Sequence, residues 1–206
     1  YNYENFTQNT NQPLPIIVTN TEPSVGTYYW FQLGQDIDGE AAGVWLGDSL
    51  SLSSDGTIVA IGSYIINTNT GYVKIYQYSN SSWSQLGQDI DGEAAYNNSG
   101  GAVSLSSDGT IVAIGAVGND GNGNSSGHVR VYQYNVTVWT QLGEDIDGEA
   151  ADDYSGTSVS LSSDGTIVAI GATHNNGGNV SNSGHVRVYQ YREFTSADVN
   201  NYNYGN

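Results

Sequence analysis

The run Asp-Ile-Asp-Gly-Glu occurs three times, at residues 36–40, 89–93 and 145–149. It sets carboxylates at alternate positions, where hard oxygen ligands could converge on a divalent cation, as at the start of a calcium loop. An EF-hand also needs a longer ligand series and a distal Glu, and neither follows any of the three copies. The alternative is a turn that joins successive units and leaves its acids in water. The same carboxylate pairs could act as acid and base on a glycosidic bond. An active site, however, needs one asymmetric constellation, and three like copies do not supply one. No catalytic residue, cofactor-binding residue or metal ligand is therefore assigned, and the chain reads as non-enzymatic. Calcium is the one cofactor that these turns would invite.

The remaining chemistry-bearing residues recur in step. His128 and His185 hold equivalent places, where the first unit has Tyr72. A Tyr in that place speaks against a ligand or catalytic role and for a cross-strand structural one. Lys74, Arg130 and Arg187 also recur and are expected to offset nearby acids. N-glycosylation sequons stand at Asn5, Asn80, Asn97, Asn124, Asn135 and Asn179. All six fall outside the expected inner strands, mainly in loops, so covalent N-glycans are expected. No Ser/His/Asp arrangement, phosphate loop or basic patch is visible.

What must position these residues is an internal repeat. Trp30-Phe31-Gln32-Leu33-Gly34 returns as Trp83-Ser84-Gln85-Leu86-Gly87 and as Trp139-Thr140-Gln141-Leu142-Gly143. Each unit then carries Ser-Leu-Ser-Ser-Asp-Gly-Thr-Ile-Val-Ala-Ile-Gly, centred on Asp55, Asp108 and Asp164, and ends at Tyr78, Tyr134 or Tyr191. The period inside a unit is two, the period of strands. Apolar residues alternate with Ser in Val159-Ser160-Leu161-Ser162, and Asp164-Gly165 supplies a hairpin turn. Thr166–Ala172 is apolar on both faces, so it reads as a central strand buried on both sides. His185–Tyr191 puts His, Arg and Tyr on one face, which suits an outer strand with one side near solvent. The Trp-x-Gln-Leu segment makes a fourth strand. The chain is thus expected to be all-β, with three tandem four-stranded antiparallel propeller-type blades at 30–82, 83–138 and 139–191. Loops rich in Asn and Gly at 63–70, 117–126 and 173–183 lie on one rim, where unit-specific function would sit.

The sequence Ser155-Gly156-Thr157-Ser158-Val159-Ser160-Leu161, then Asp164-Gly165, Ile170-Gly171-Ala172 and Gly184-His185-Val186-Arg187-Val188-Tyr189 resembles the FG-GAP repeats of integrin α-subunit propellers and related surface proteins. The likeness recurs in the first two units and spans Trp30 to Tyr191. It implies an extracellular or cell-surface β-propeller blade. Blades of that family that bind calcium gather several acidic or Asn ligands in one loop. Here the corresponding stretch is only Ser-Ser-Asp-Gly-Thr, so the family's calcium site does not carry over. Three blades are also too few to close a propeller, which takes 4–8.

Composition narrows the function further. Four basic residues stand against 21 acidic ones, a formal charge of −17, which repels nucleic-acid phosphate and anionic lipid. No apolar run is long enough for a membrane-spanning helix, and with no Cys disulfides cannot staple the fold. The first residue is Tyr rather than Met, which fits a processed, secreted product. Residues 1–29 lie outside the repeat and hold one apolar patch, Leu14-Pro15-Ile16-Ile17-Val18. Leu14, Ile16, Ile17 and Val18 read as a strand offered to a neighbouring copy. Residues 192–206 form a polar tail. The expectation is a secreted, glycosylated structural protein that assembles from copies of itself into a surface fibre or array. The alternative is a fragment of an adhesin propeller that holds a glycan or protein ligand, with or without calcium.

Overall fold

The computed structural model describes residues 26, 28–65, 70–177, 180–193 and 195. The protein is all-β: the described residues form thirteen strands, all ladder pairs between them are antiparallel, and none lies in an α-helix. Three sheets follow one another along the chain. The first contains β1 (Val44–Leu52), β2 (Ile58–Ile65), β3 (Tyr72–Ser79) and β4 (Ser82–Gln85), with β5 (Ile90–Asp91) also paired to β3. The second repeats this with β6 (Ser99–Leu105), β7 (Ile111–Ala116), β8 (His128–Tyr134), β9 (Trp139–Gln141) and β10 (Ile146–Asp147). The third has only β11 (Ser155–Leu161), β12 (Ile167–Ala172) and β13 (His185–Gln190).

The hairpin between the first two strands of each sheet is fixed by its Ser-Ser-Asp-Gly-Thr sequence. In the second sheet Ser106 Oγ donates to Asp108 Oδ1 at 2.7 Å and accepts the Ile111 N–H at 3.0 Å. Asp108 Oδ1 also accepts the N–H and hydroxyl of Thr110 at 3.0 and 2.8 Å. The same set recurs around Asp55 and Asp164. These donors hold all three carboxyls below the usual carboxylate range, with Asp164 lowered to about 2.

The core lies between sheets. Ile58, Ala60, Val73 and Ile75 of the first meet Val103, Leu105, Val112 and Ile114 of the second. Ile111, Ala113, Val129 and Val131, from the other face of the second sheet, meet Val168 and Ile170 of the third. Strand β7 is therefore buried along its whole length, as its two-sided apolar sequence requires. Backbone approaches backbone at these joints. Gly100 takes a positive φ of 87° beside an irregularity in β6, and a Cβ on Gly62 would strike its carbonyl oxygen.

Two expectations change. The strand expected to be outer, β13, is one, but its exposed side carries Val186 and Val188 rather than His185 and Arg187. In the first two sheets Tyr72–Ile75 and His128–Val131 are buried on both faces, and β4 and β5, or β9 and β10, cover the free edge. Lys74 and His128 are accordingly only 3% and 1% exposed. The third sheet also has three strands rather than four. Each earlier sheet takes its fourth strand from the Trp segment that opens the next repeat, and among the described residues no such segment pairs with β13. Among the described residues the stack is open at both ends.

Gly62→Ala and Gly171→Ala both push a Cβ against a serine hydroxyl in their own sheet, but only the first also meets a neighbouring sheet's carbonyl. In dilute solution Gly62→Ala is expected to lose about 1–3 kcal/mol more than Gly171→Ala, read from urea unfolding midpoints. Equal losses would mean that the glycine pair does not set the spacing of the sheets.

Candidate functional site

In each sheet the third strand carries a cation that the Asp-Ile-Asp-Gly-Glu turns enclose. Lys74 Nζ pairs with Glu40 and lies 3.4 Å from Asp89. Arg130 Nη1 lies 3.2 Å from Glu93, and its Nη2 donates to the Asp91 carbonyl at 3.2 Å. Arg187 Nη1 lies 3.6 Å from Glu149, and its Nη2 donates to the Asp147 carbonyl at 2.6 Å. Each cation also stands 5.4–5.7 Å from the ring centre of a Tyr on its own strand. Burial works against the Lys74 ammonium, but Glu40 and Asp89 outweigh it and hold its pKa above the ordinary value. The turns are thus structural clamps: Ile90-Asp91 and Ile146-Asp147 extend a sheet, and the acids of all three copies neutralise the cation on the third strand.

One cluster departs from this pattern. Glu93, His128 and Asp145 each offer a ligand atom, all within 4.8 Å of one another, beside a groove lined by Asn97, Asn119, Asp120 and Asp147. One imidazole and two carboxylates is a donor set that suits zinc better than calcium. The positive charge of Arg130, already seated on Glu93, opposes a second cation there. The set also does not repeat, since Tyr72 replaces the imidazole in the first unit. Burial pushes the His128 pKa down, although Asp145 at 3.3 Å acts the other way.

The second constellation is the joint between sheets, which sequence reasoning did not single out as a site. Trp139 packs on Tyr134 at 5.1 Å between ring centres and sends its Nε1–H to the Leu86 carbonyl at 2.8 Å. A Cβ on Gly87 would come within 2.8 Å of that indole. Gln88 clasps the Trp139 backbone, donating to its carbonyl at 2.8 Å and accepting its N–H at 3.0 Å. Trp83 repeats the arrangement with Tyr78, Leu33, Gly34 and Gln35. The signal for this was the recurring Trp-x-Gln-Leu-Gly-Gln/Glu run. Its meaning was hidden because partner and indole belong to successive repeats.

The glycosylation candidates divide. Asn80, in the turn after β3, is exposed, as are Asn124 and Asn135. Asn97 is only 6% exposed, in the place that buried Asp153 takes in the next unit, which leaves its amide no room for a glycan. Asn5 and Asn179, and the assembly candidates Leu14, Ile16, Ile17 and Val18, lie outside the described residues.

Fold and site together define an open all-β array of propeller-like sheets joined by tryptophan clasps. No family model and no curated protein matches the chain. Among solved structures, hydrazine synthase of Kuenenia stuttgartiensis is similar at 15% identity and a TM-score of 0.42. The match covers 71% of this chain and 45% of that one, so this chain spans less than half of that length. A likeness at that TM-score carries no argument about fold or function.

His128 binds its proton less readily folded than unfolded, so the unfolded state is the better proton acceptor below about pH 6.5. Stability is expected to fall with pH from about 6.5 until the lower folded pKa is crossed. Melting temperatures at pH 7.5 and 5.5 should differ for the native chain and differ less for His128→Gln. A second loss, below about pH 3.8 and shared by both, belongs to Asp55, Asp108 and Asp164. An unchanged acid slope in His128→Gln would assign the upper loss to another group.

Proposed function

We propose that this chain is a non-enzymatic, extracellular structural subunit that assembles with copies of itself into a fibre or surface array and carries N-glycans. The observation that carries this reading is the pair of apolar faces at the two ends of the stack. Leu50 of β1 is 63% exposed, whereas its equivalent Val103 is 9% exposed within the joint. At the other end Val186 of β13 is 68% exposed, whereas its equivalent Val129 is fully buried. Leu52, Ile167 and Val188 enlarge the two patches. Contiguous apolar surface of this kind marks an interaction site, and two unlike faces on one subunit generate rings or filaments. The resemblance to FG-GAP repeats supports a place at the cell surface. Repetition of every acidic motif supports a structural rather than a catalytic role. Charge disfavours nucleic acid as a partner, and among the described residues no helix is long and apolar enough to cross a membrane.

A second reading rests on the groove lined by Glu93, Asn97, Asn119, Asp120, Asp145 and Asp147. Under it the chain is part of an adhesin whose acidic rim holds a glycan or protein ligand through a cation. Binding by single, unassembled chains would favour that reading.

Light scattering and electron microscopy of the purified chain test the first. Multimers are expected, and they should grow with salt, because screening weakens the repulsion between subunits of charge −17. Particles of one chain's mass at every salt and protein concentration would overturn self-assembly. Site mapping of the secreted protein after enzymatic deglycosylation is expected to mark Asn80, Asn124 or Asn135 and to leave Asn97 unmodified. Modification at Asn97 alone would contradict the burial argument.

A further inference from the structure

The two joints inside the chain describe a third whose halves lie at opposite ends of the same molecule. Trp30-Phe31-Gln32-Leu33-Gly34 has the sequence pattern of the strands β4 and β9 with their following residues, yet it belongs to no sheet, and Trp30 is 83% exposed against 4% for Trp139. The segment already has the local shape of its counterparts. Gln32 Nε2 donates to Asp36 at 2.6 Å, as Gln85 does to Asp89 at 2.6 Å and Gln141 to Asp145 at 2.7 Å. At the far end β13 has an edge that no described strand pairs. A groove there is lined by Leu142, Gly143, Glu144, Leu161, Tyr189 and Tyr191. These include the counterparts of the residues that receive Trp139. A Cβ on Gly143 would meet only Tyr191, at 3.6 Å, where one on Gly87 meets an indole.

Other groups at the two ends match in the same way. Gly100 and Gly156 press on Gly62 and Gly115 of the preceding sheet. Their counterpart Gly47 has open space before it, and the counterpart of the receiving pair, Gly171, meets only its own sheet. Charge is complementary as well. Lys74 and His128 each face an acid of the next repeat, Asp89 and Asp145. Among the described residues their counterparts Arg187 and His185 pair with no acid but Glu149 of their own repeat, and the Arg187 Nε is buried without a hydrogen-bond partner. Asp36 is the acid that a further repeat would bring.

Resting on the self-assembly reading, we propose that the partner at this site is a second copy of the same chain, joined head to tail. Residues 30–38 of one copy add to the edge of β13 of the other, with the Trp30 indole over Gly143 and its Nε1–H on the Leu142 carbonyl. The ladders Tyr78↔Trp83 and Tyr134↔Trp139 set the register as Tyr191↔Trp30 and Gln190↔Phe31. The ladders Val73↔Ile90 and Val129↔Ile146 add Val186↔Ile37. Three sheets are too few to bring a chain's own Trp30 round to its own β13. One residue weakens this joint relative to the internal ones. Glu144 stands where Gln35 and Gln88 clasp a Trp backbone on both sides. An ionised carboxylate accepts the Trp30 N–H but has no hydrogen for its carbonyl.

The test uses the full chain and its lack of cysteine. Phe31→Cys and Gln190→Cys variants, mixed and oxidised, are expected to give a disulfide-linked two-chain species that neither variant forms alone to comparable yield. A mixture of Phe31→Cys with Asn80→Cys should not give it. Trp30→Ala, which removes an exposed side chain and so leaves the fold intact, should weaken assembly at least about thirtyfold. Glu144→Gln should strengthen it about fivefold. Persistent wild-type assembly with no Phe31–Gln190 crosslink and no effect of Trp30→Ala would overturn this joint while leaving self-assembly standing. A wild-type chain that stays single at all concentrations would overturn both. A closed two-chain, six-sheet ring that is lost in Trp30→Ala would support the joint and remove the fibre.

Discussion

Tyr78 and Trp83 face each other at 5.1 Å across a strand pair, as Tyr134 and Trp139 do. Both contacts tie the start of one repeat to the end of the one before. The period of the sequence and the period of the sheets are therefore out of step by one strand. Most other features follow from that offset. It covers the free edge of β3 and β8, so those strands can carry buried charge. It also brings the Ile-Asp segments of the second and third turns onto the preceding sheet, where the neighbouring acids are needed. Among the described residues no Trp segment pairs with β13, so the third sheet has three strands, and Trp30–Gly34 lies outside any sheet.

The electrostatics have the same origin. In a chain with four basic residues, three sit at one position of the repeat, on the third strand. Burying a lone cation costs several kcal/mol, and each is offset by a carboxylate from its own repeat, reinforced by backbone carbonyls or by the following repeat. Of the acids that first suggest a calcium loop, the Glu of each copy and Asp89 are thus engaged by the protein's own cations. Removing one partner of such a pair is more damaging than removing both, because the survivor stays buried and unpaired.

Much of this fold was legible in the sequence, and the reasons are local. Alternation in Val159–Ser162 and the Asp-Gly turn specify a hairpin, and the residues that do so touch one another in the structure. The two-sided apolar run Thr166–Ala172 announced burial on both faces. Its counterpart Ile111–Ala116 has it throughout, whereas in β12 Ile167 is 40% exposed because among the described residues no further sheet covers it. What stayed hidden is what depends on more than one repeat at once. Lys74 looks like a surface residue until β4 and β5 are laid beside it. Asn97 looks like a loop sequon, but it is buried and its carbonyl accepts the Gly118 N–H at 3.0 Å from the loop after β7, a contact distant in sequence. The tryptophan clasp was visible as a pattern but not as a site, because Trp139 finds its glycine, leucine and glutamine in the repeat before.

The borrowed strand also bears on how the protein is made. Synthesis runs from the N-terminus, so the first sheet cannot be completed until Asp91 has emerged, nor the second until Asp147. At every stage the nascent chain ends in a sheet with one bare edge, the feature most prone to pair with the wrong neighbour. Each new repeat closes the edge left by its predecessor and opens another. Folding therefore advances as a moving front, and the hazard of mispairing stays confined to its tip.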